Sequence, residues 1–446
     1  MTEFSQGPAL WQAIIALLIF AAAYVCILIE KWDRMYTALG GAFLMVIMGI
    51  VPFGKAVTTY ANWHVLLLIT SLYVISGIFQ KTGIIAYLAA HILRKFRIQP
   101  ITILLSLSVL SAIISALLDG LLAIAVLVPI LLKTTKMMKL SPAPFLISIL
   151  LSVNIGGAST LMGNLPNRMI GAAENISTGE MLLKLGPLVI ILLAIVYLVI
   201  WLVYGKKMIV AESYKRELLT LQPASYLASD RGLLAGSCLI TGLTVLALLL
   251  QGVLGWKASY IAVCGAVILL ALNYKELVQL VKRKDYLSVW HGLKETQLLF
   301  FFGLFIMVGG LTYAGITGFI AARGLEISQG NIPFLSILLL WLTGFGSAMM
   351  DYIPYTAAMI PVVDHMGGML QSAAGISTVS SLWWSLIVGT AIGSGVTLLS
   401  SMTSMYAAAL SDQEGGGLTQ RSYFIVAAPI SLLLFITATI YFKLFL

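Results

Sequence analysis

Long apolar runs separated by short polar breaks make up the chain, and the breaks come in two matching sets. Apolar stretches at 10–28, 38–51 and 65–79 predict three membrane-spanning scaffold helices. Residues 83–97 follow, with Ile84, Ile85, Leu88, Ile92 and Leu93 on one face and Arg94, Lys95 and Arg97 at the end, the pattern of an interfacial arm. A hairpin over 101–133 is expected to turn at Asp119-Gly120, because Gly tolerates positive φ and Asp can bond its own turn. A helix over 142–176 is then interrupted by GGASTLMGNLP, and 185–204 is the last span of the first half. Residues 205–231 form the long polar linker. The second half, 232–446, repeats the plan. It has scaffold spans at 233–250, 258–272 and 298–311, with a basic surface helix at 274–294. An arm at 319–330, a hairpin at 332–363 turning at Asp351, a broken helix at 380–411 and a span at 424–442 complete it.

The match extends to the letters. Residues 115–129 read SALLDGLLAIAVLVP and 347–361 read SAMMDYIPYTAAMIP, with Asp fifth and Pro last in both. Residues 155–167 read IGGASTLMGNLPN and align without a gap on 392–404, IGSGVTLLSSMTS. Two matches in the same order indicate an internal duplication. Five crossings per half is an odd number, so the second half would insert upside down. The expected fold is therefore an all-α polytopic membrane protein: an inverted repeat of two five-helix halves, each with a re-entrant hairpin and a broken helix, ten crossings in all. Irregular backbone at that depth is tolerated where it is buried in protein or lines a cavity.

Composition narrows the class. With 60% hydrophobic and 10% charged residues and a mean hydropathy of +1.02, the chain is no soluble domain. The net charge of +9 has a membrane origin and does not point to nucleic acid. Segments 31–34, 81–97, 133–139, 206–231 and 275–294, with Arg421, hold 20 Lys/Arg, against 5 at Lys55, Lys184, Lys257, Arg323 and Lys443. By the positive-inside rule the first group faces the cytoplasm, and both termini face out of a cytoplasmic membrane. Glu3, with no basic residue before Lys31, does not suit a cleaved signal peptide. Cys26, Cys238 and Cys264 sit far apart in apolar segments and read as packing residues.

Two hairpin tips and two helix breaks should converge, offering backbone N–H groups to anions and carbonyls to cations. The candidate substrate contacts are Gly120 at the tip, Thr160, Asn164, Asn167 and Arg168 in the first break, and Thr397, Ser400, Ser401, Thr403 and Ser404 in the second. Asp119 and Asp351 are the candidates for a coupling proton or sodium ion; no other cofactor is implied. A guanidinium at such depth needs a partner. Arg168 either pairs with Asp119 or draws an anionic substrate. If it pairs, Asp351 becomes the stronger proton carrier.

The hairpin and break motifs resemble the ion transporter superfamily, nearest its branch of arsenite/antimonite permeases, sodium/proton antiporters and P-proteins, with a relation to divalent anion:sodium symporters. NLPN is the most specific element. The resemblance implies a scaffold, a mobile transport domain and elevator-type alternating access. Relatives carry Asp-Asn at the tips, where this chain has Gly120 and Tyr352; the Asp-Gly tip is similar to that of metal–citrate carriers. The expected function is ion-coupled secondary transport of a small anion or oxyanion, of arsenite/antimonite or carboxylate type, and not enzymatic catalysis. A sodium/proton antiporter is the alternative, and a homodimer or a separate ATPase subunit is compatible with either. Cysteines placed at Lys136 and Lys206 should both react from the cytoplasmic side; labelling from opposite sides defeats this topology.

Overall fold

The structure, a computed structural model, describes residues 10–29, 32–96, 99–205, 208, 222–228, 230–274, 295–374, 380–413 and 417–445. Among them every regular element is helical. The surface helix expected at 274–294, apart from Tyr274, and most of the 205–231 linker lie outside the described residues.

The first half runs α1 (Leu10–Ile29), α2 (Arg34–Ile47), α3 (Trp63–Lys81) and α4 (Ile84–Lys95). A helical hairpin follows, α5 (Pro100–Leu117) and α6 (Gly120–Met137), then the interrupted pair α7 (Ala143–Gly157) and α8 (Leu165–Glu174), and α9 (Thr178–Tyr204). The second half runs α10 (Arg231–Leu249), α11 (Ala258–Leu272), α12 (Glu295–Tyr313) and α13 (Ile316–Ser328). Its hairpin is α14 (Ile332–Met349) and α15 (Tyr352–Ala374), its interrupted pair α16 (Ser380–Gly393) and α17 (Met402–Gln413), and α18 (Gln420–Phe445) closes the chain. Side chains set the starts of these helices: Asp33 accepts from Met35 N–H at 2.9 Å before α2, and Asn331 from Phe334 N–H at 3.0 Å before α14.

Among the described residues, eight helices are long and apolar enough to cross a membrane: α1, α3, α5, α6, α9, α10, α14 and α18. The pair α12 and α13, bent by 63°, makes a ninth if it counts as one span. Only 22% of α1 and 22% of α10 is buried, leaving Leu17, Leu18, Leu239 and Leu243 on the outside. Against water such faces drive aggregation; against acyl chains they are at rest.

Each main packing contact has a counterpart in the other half. α2 lies on α12 as α11 lies on α3, and α5 lies on α7 as α14 lies on α16. The α2–α12 contact is a backbone contact: a Cβ on Gly303 would stand 2.7 Å from the Ala38 carbonyl carbon and 2.8 Å from Leu39 N. Gly40, one residue past Leu39, has nothing within 4 Å. Gly303→Ala should therefore lower thermal stability, overpacking of about 1–3 kcal/mol outweighing a helix-propensity gain of about 1. Gly40→Ala should leave it unchanged or raise it. Equal melting shifts in detergent would show that the two helices do not meet so closely.

Candidate functional site

The two hairpin turns meet the two helix breaks through the same bonds in each half. Gly120 N–H donates to Gly163 O at 3.2 Å, and at equivalent positions Tyr352 N–H donates to Ser400 O at 3.1 Å. The Thr160 hydroxyl donates to Ala116 O; its equivalent, Thr397, donates to Ala348 O at 3.1 Å. Asn164 Oδ1 accepts from Asn167 N–H at 3.0 Å to start α8, and Ser401 Oγ accepts from Ser404 N–H at 3.1 Å to start α17. These bonds satisfy backbone groups that two interrupted helices would otherwise leave bare away from water.

Asp119 caps α6, its Oδ1 accepting from Leu121 N–H at 2.7 Å, and its Oδ2 pairs with Arg168. Arg168 is fully buried, donates also to Met162 O at 2.7 Å and Leu118 O at 3.3 Å, and lies 5.3 Å from the Tyr73 ring. The guanidinium thus joins the first tip to the first break. Asp351 begins the same way, with Oδ1 accepting from Ile353 N–H at 3.0 Å, but the position equivalent to Arg168 is Met405. A cation reaches it from elsewhere: Arg34, first residue of α2, pairs with Asp351 Oδ2 at 2.8 Å and rests 3.5 Å from the Met405 sulfur. The sequence count placed Arg34 with the surface cations; the structure turns it inward. With Arg34 beside it, Asp351 is not the less paired of the two carboxylates.

Several predicted site residues spend their polar atoms holding the breaks in shape. Asn167 donates to Gly157 O at 2.9 Å and Thr160 O at 2.8 Å, and Ser400 Oγ to Ser394 O at 2.8 Å. Asp119, Gly120, Asn164 and Thr403 instead line a gap of about 20 Å³, with Tyr73, Asn154 and Tyr352. That is room for a single water-sized ligand. The Asn167 Oδ1 is buried without a partner among the described residues, although Asn167 is not one of the residues that line the gap. Ser401 and Ser404 are occupied with one another.

Next to the gap lies a cavity of about 410 Å³ that shares Tyr73, Asp119, Leu121 and Met402 with it. Ser76 and Gln80 from α3, Gln297 from α12 and Tyr406 from α17 complete its polar wall. The sequence reading missed these residues. Tyr73, Ser76 and Gln80 fall on one helical face, a stripe that was there to be seen. Asn154 was missed too; it bridges the halves, donating to Ser394 O at 3.2 Å and accepting from the Thr403 hydroxyl at 3.3 Å.

A second cavity, of about 220 Å³, sits at the other end of α3. Carrying the hairpin and break alignments along the chain shows that part of its wall repeats the first, though the equivalents of Asp119, Leu121, Leu122 and Met402 do not line it. Phe305 stands for Tyr73, Val308 for Ser76, Thr312 for Gln80, Val65 for Gln297 and Met169 for Tyr406. Of these five positions only Thr312 carries a hydrogen-bonding group, and the polar lining of the second cavity comes instead mostly from Thr59, Tyr60, Asn62 and Asp364.

A family model described as citrate transporter matches residues 24–389. The chain belongs to the citrate transporter family. An uncharacterized transporter of Mycobacterium bovis is 27% identical to it over 429 residues, covering 94% of this chain and 97% of its own length. Magnetosome protein MamN of Magnetospirillum gryphiswaldense is 26% identical over 419 residues, covering 92% and 88%. The P protein of Mus musculus is 22% identical over 505 residues, covering 95% of this chain but 59% of the P protein. Among solved structures, the Alcanivorax borkumensis YdaH transporter shares the fold, with a TM-score of 0.56 at 15% identity, over 97% of this chain and 96% of that one. The citrate transporter family member described here is thus a multi-pass secondary transporter.

Its buried ion pair makes a direct prediction. Arg168→Met leaves the Asp119 carboxylate buried and unpaired, a loss of about 3–5 kcal/mol of stability. Asp119→Asn in the same chain should recover most of it. Thermal unfolding of the singles and the double decides; a double variant as unstable as Arg168→Met alone means that the pair is not what holds the site.

Proposed function

We propose that the protein carries a small carboxylate anion of the citrate type, together with a proton or sodium ion, across the cytoplasmic membrane. One observation carries this reading: a water-sized gap and a substrate-sized cavity meet at the same carboxylate, Asp119. The larger space falls within the range of small-molecule sites, about 300–1,000 Å³, and far exceeds what a single arsenite would fill. Its wall offers amides and hydroxyls from Gln80, Gln297, Tyr73, Ser76 and Tyr406. Gln297 Oε1 has no partner among the described residues, so its amide is available to a ligand. Among the described residues no lysine or arginine lines the cavity, whereas Asp119 does. Arg168 already offsets the Asp119 charge, so a cation in the adjoining gap adds net positive charge beside the cavity and favours an anion within it, which couples the two solutes.

The matching bonds, matching packing and matching cavities of the halves support an inverted repeat, with ten crossings and two re-entrant hairpins. Cavities at opposite ends of α3 support alternating access in which the hairpins and broken helices move as one body past α2, α3, α11 and α12, in the manner of an elevator. Gln80 lies beside the basic segment that starts at Lys81, so the larger cavity is assigned to the cytoplasmic side.

Thermal stabilisation of the purified protein by citrate, other di- and tricarboxylates and arsenite, with and without sodium across pH, tests the substrate class. A carboxylate should stabilise it, and more so with the coupling cation. Stabilisation by arsenite alone overturns the carboxylate reading, and by sodium alone returns the protein to the antiporter class. In proteoliposomes, Gln297→Ala should raise the half-saturating citrate concentration about tenfold, the worth of a hydrogen bond. Asp119→Asn should abolish gradient-driven accumulation; unchanged accumulation removes Asp119 from the coupling role.

A further inference from the structure

The two tip carboxylates are equivalent in sequence and capped alike, yet their cations differ in origin. Asp119 takes Arg168 from the break in its own half, so both ends of that pair belong to the hairpin-and-break unit. Asp351 takes Arg34 from the start of α2, 317 positions away, on the helix group packed around α12. The contact is reinforced by the Tyr24 hydroxyl of α1, which donates to the Asp351 carbonyl at 3.3 Å. Beyond the tip, Tyr352, Ile353 and Ala357 pack in the same apolar cluster as Met35, Ala38 and Met45 of α2. Leu118, Leu122 and Ala123 of the first tip fall in a different cluster, with their own hairpin and break and with α3 and α11. Among the described residues, only the second tip's carboxylate is held by an ion pair to α2.

We propose that Arg34 is a tethered counter-ion for Asp351, which latches the second tip to α2 in this conformation and parts from it when the tips move. This rests on the moving-body reading given above. The Asp119–Arg168 pair travels intact in any such movement, because the first tip and the first break move together. The Arg34–Asp351 pair spans the sliding surface and cannot. Asp351 is 3% exposed in its side chain and Arg34 24%, so the carboxylate is the buried partner and the guanidinium the one that can retreat toward solvent. Arginine is well suited to such a latch, since it stays charged throughout and its long stem reaches across a gap without moving its own helix. Arg34 is thus a positioning residue, setting the balance between conformations without touching the cavity wall.

Thiol labelling reads the balance directly and needs no substrate. Ala125 lines the larger cavity and Ala357, its equivalent, lines the smaller one. Single cysteines are placed at Ala125 or Ala357 in a chain whose Cys26, Cys238 and Cys264 are replaced by alanine. A small methanethiosulfonate reagent should modify the Ala125→Cys protein faster. Adding Arg34→Gln should reduce the ratio of the two rates by about tenfold, as this conformation loses population to the other. Asp351→Asn should do the same, and exchange of the charges, Arg34→Asp with Asp351→Arg, should restore the ratio. An unchanged ratio in folded, monodisperse Arg34→Gln protein overturns the latch. If Arg34→Gln does not fold, Asp351→Asn, which leaves no buried carboxylate behind, decides by the same criterion. Equal rates at the two positions in the parent chain overturn both the latch and the alternating-access reading. A one-sided parent with an indifferent Arg34→Gln overturns the latch alone.

Discussion

A carboxylate removed from water has to find a cation, and Asp119 organises its surroundings by that demand. One oxygen starts α6, the other holds Arg168, and Arg168 in turn gathers the carbonyls of Leu118 and Met162. Turn and break are thereby joined, and the bond from Gly120 to Gly163 follows from their closeness. Charge, cap and backbone bond form one unit, in which the loss of any member exposes the others to an apolar surrounding. Asp351 makes the same demand with Met405 where its arginine would stand, and the answer comes from a different part of the molecule.

That difference sets the two halves apart in chemistry. The first half supplies Tyr73, Ser76, Gln80 and Asp119 to the larger cavity, where Gln297 and Tyr406 of the second half join them, and it holds a self-contained ion pair. The second keeps the backbone scheme of tip and break but has exchanged Tyr73 for Phe305, Ser76 for Val308 and Arg168 for Met405. The same frame of tip and break occurs twice; its ion pair is closed within one copy and reaches out to α2 from the other.

The sequence made the frame legible because the frame is local. An aspartate that caps the helix after each turn, and serine or asparagine at the helix start after each break, act over two to four residues and leave letters next to one another. The glycine of the first turn is not part of that frame: Gly120 takes no positive φ, and Tyr352 serves in its place in the second half. The membrane class was legible from hydropathy alone. Arg34 was not, since nothing near it in the chain announces a partner 317 positions away, and a basic residue in a short turn looks like any surface cation. Gln80 and Gln297 escaped for a related reason. Polar residues at irregular backbone stand out in a sequence, whereas these two project from regular helices, and only the fold brings them to one cavity. The serines and threonines of the breaks stood out as ligand groups; in the structure most are engaged in bonding the break to itself.

The difference in size between the two cavities also bears on hydration. Both have hydrogen-bonding groups on their walls, and a space of about 410 Å³ holds more water than one of about 220 Å³. The movement proposed above, in exchanging one cavity for the other, would therefore transfer water as well as protein. Osmotic pressure, which draws on the number of waters a conformation holds, becomes a force acting on this molecule even before any solute is bound.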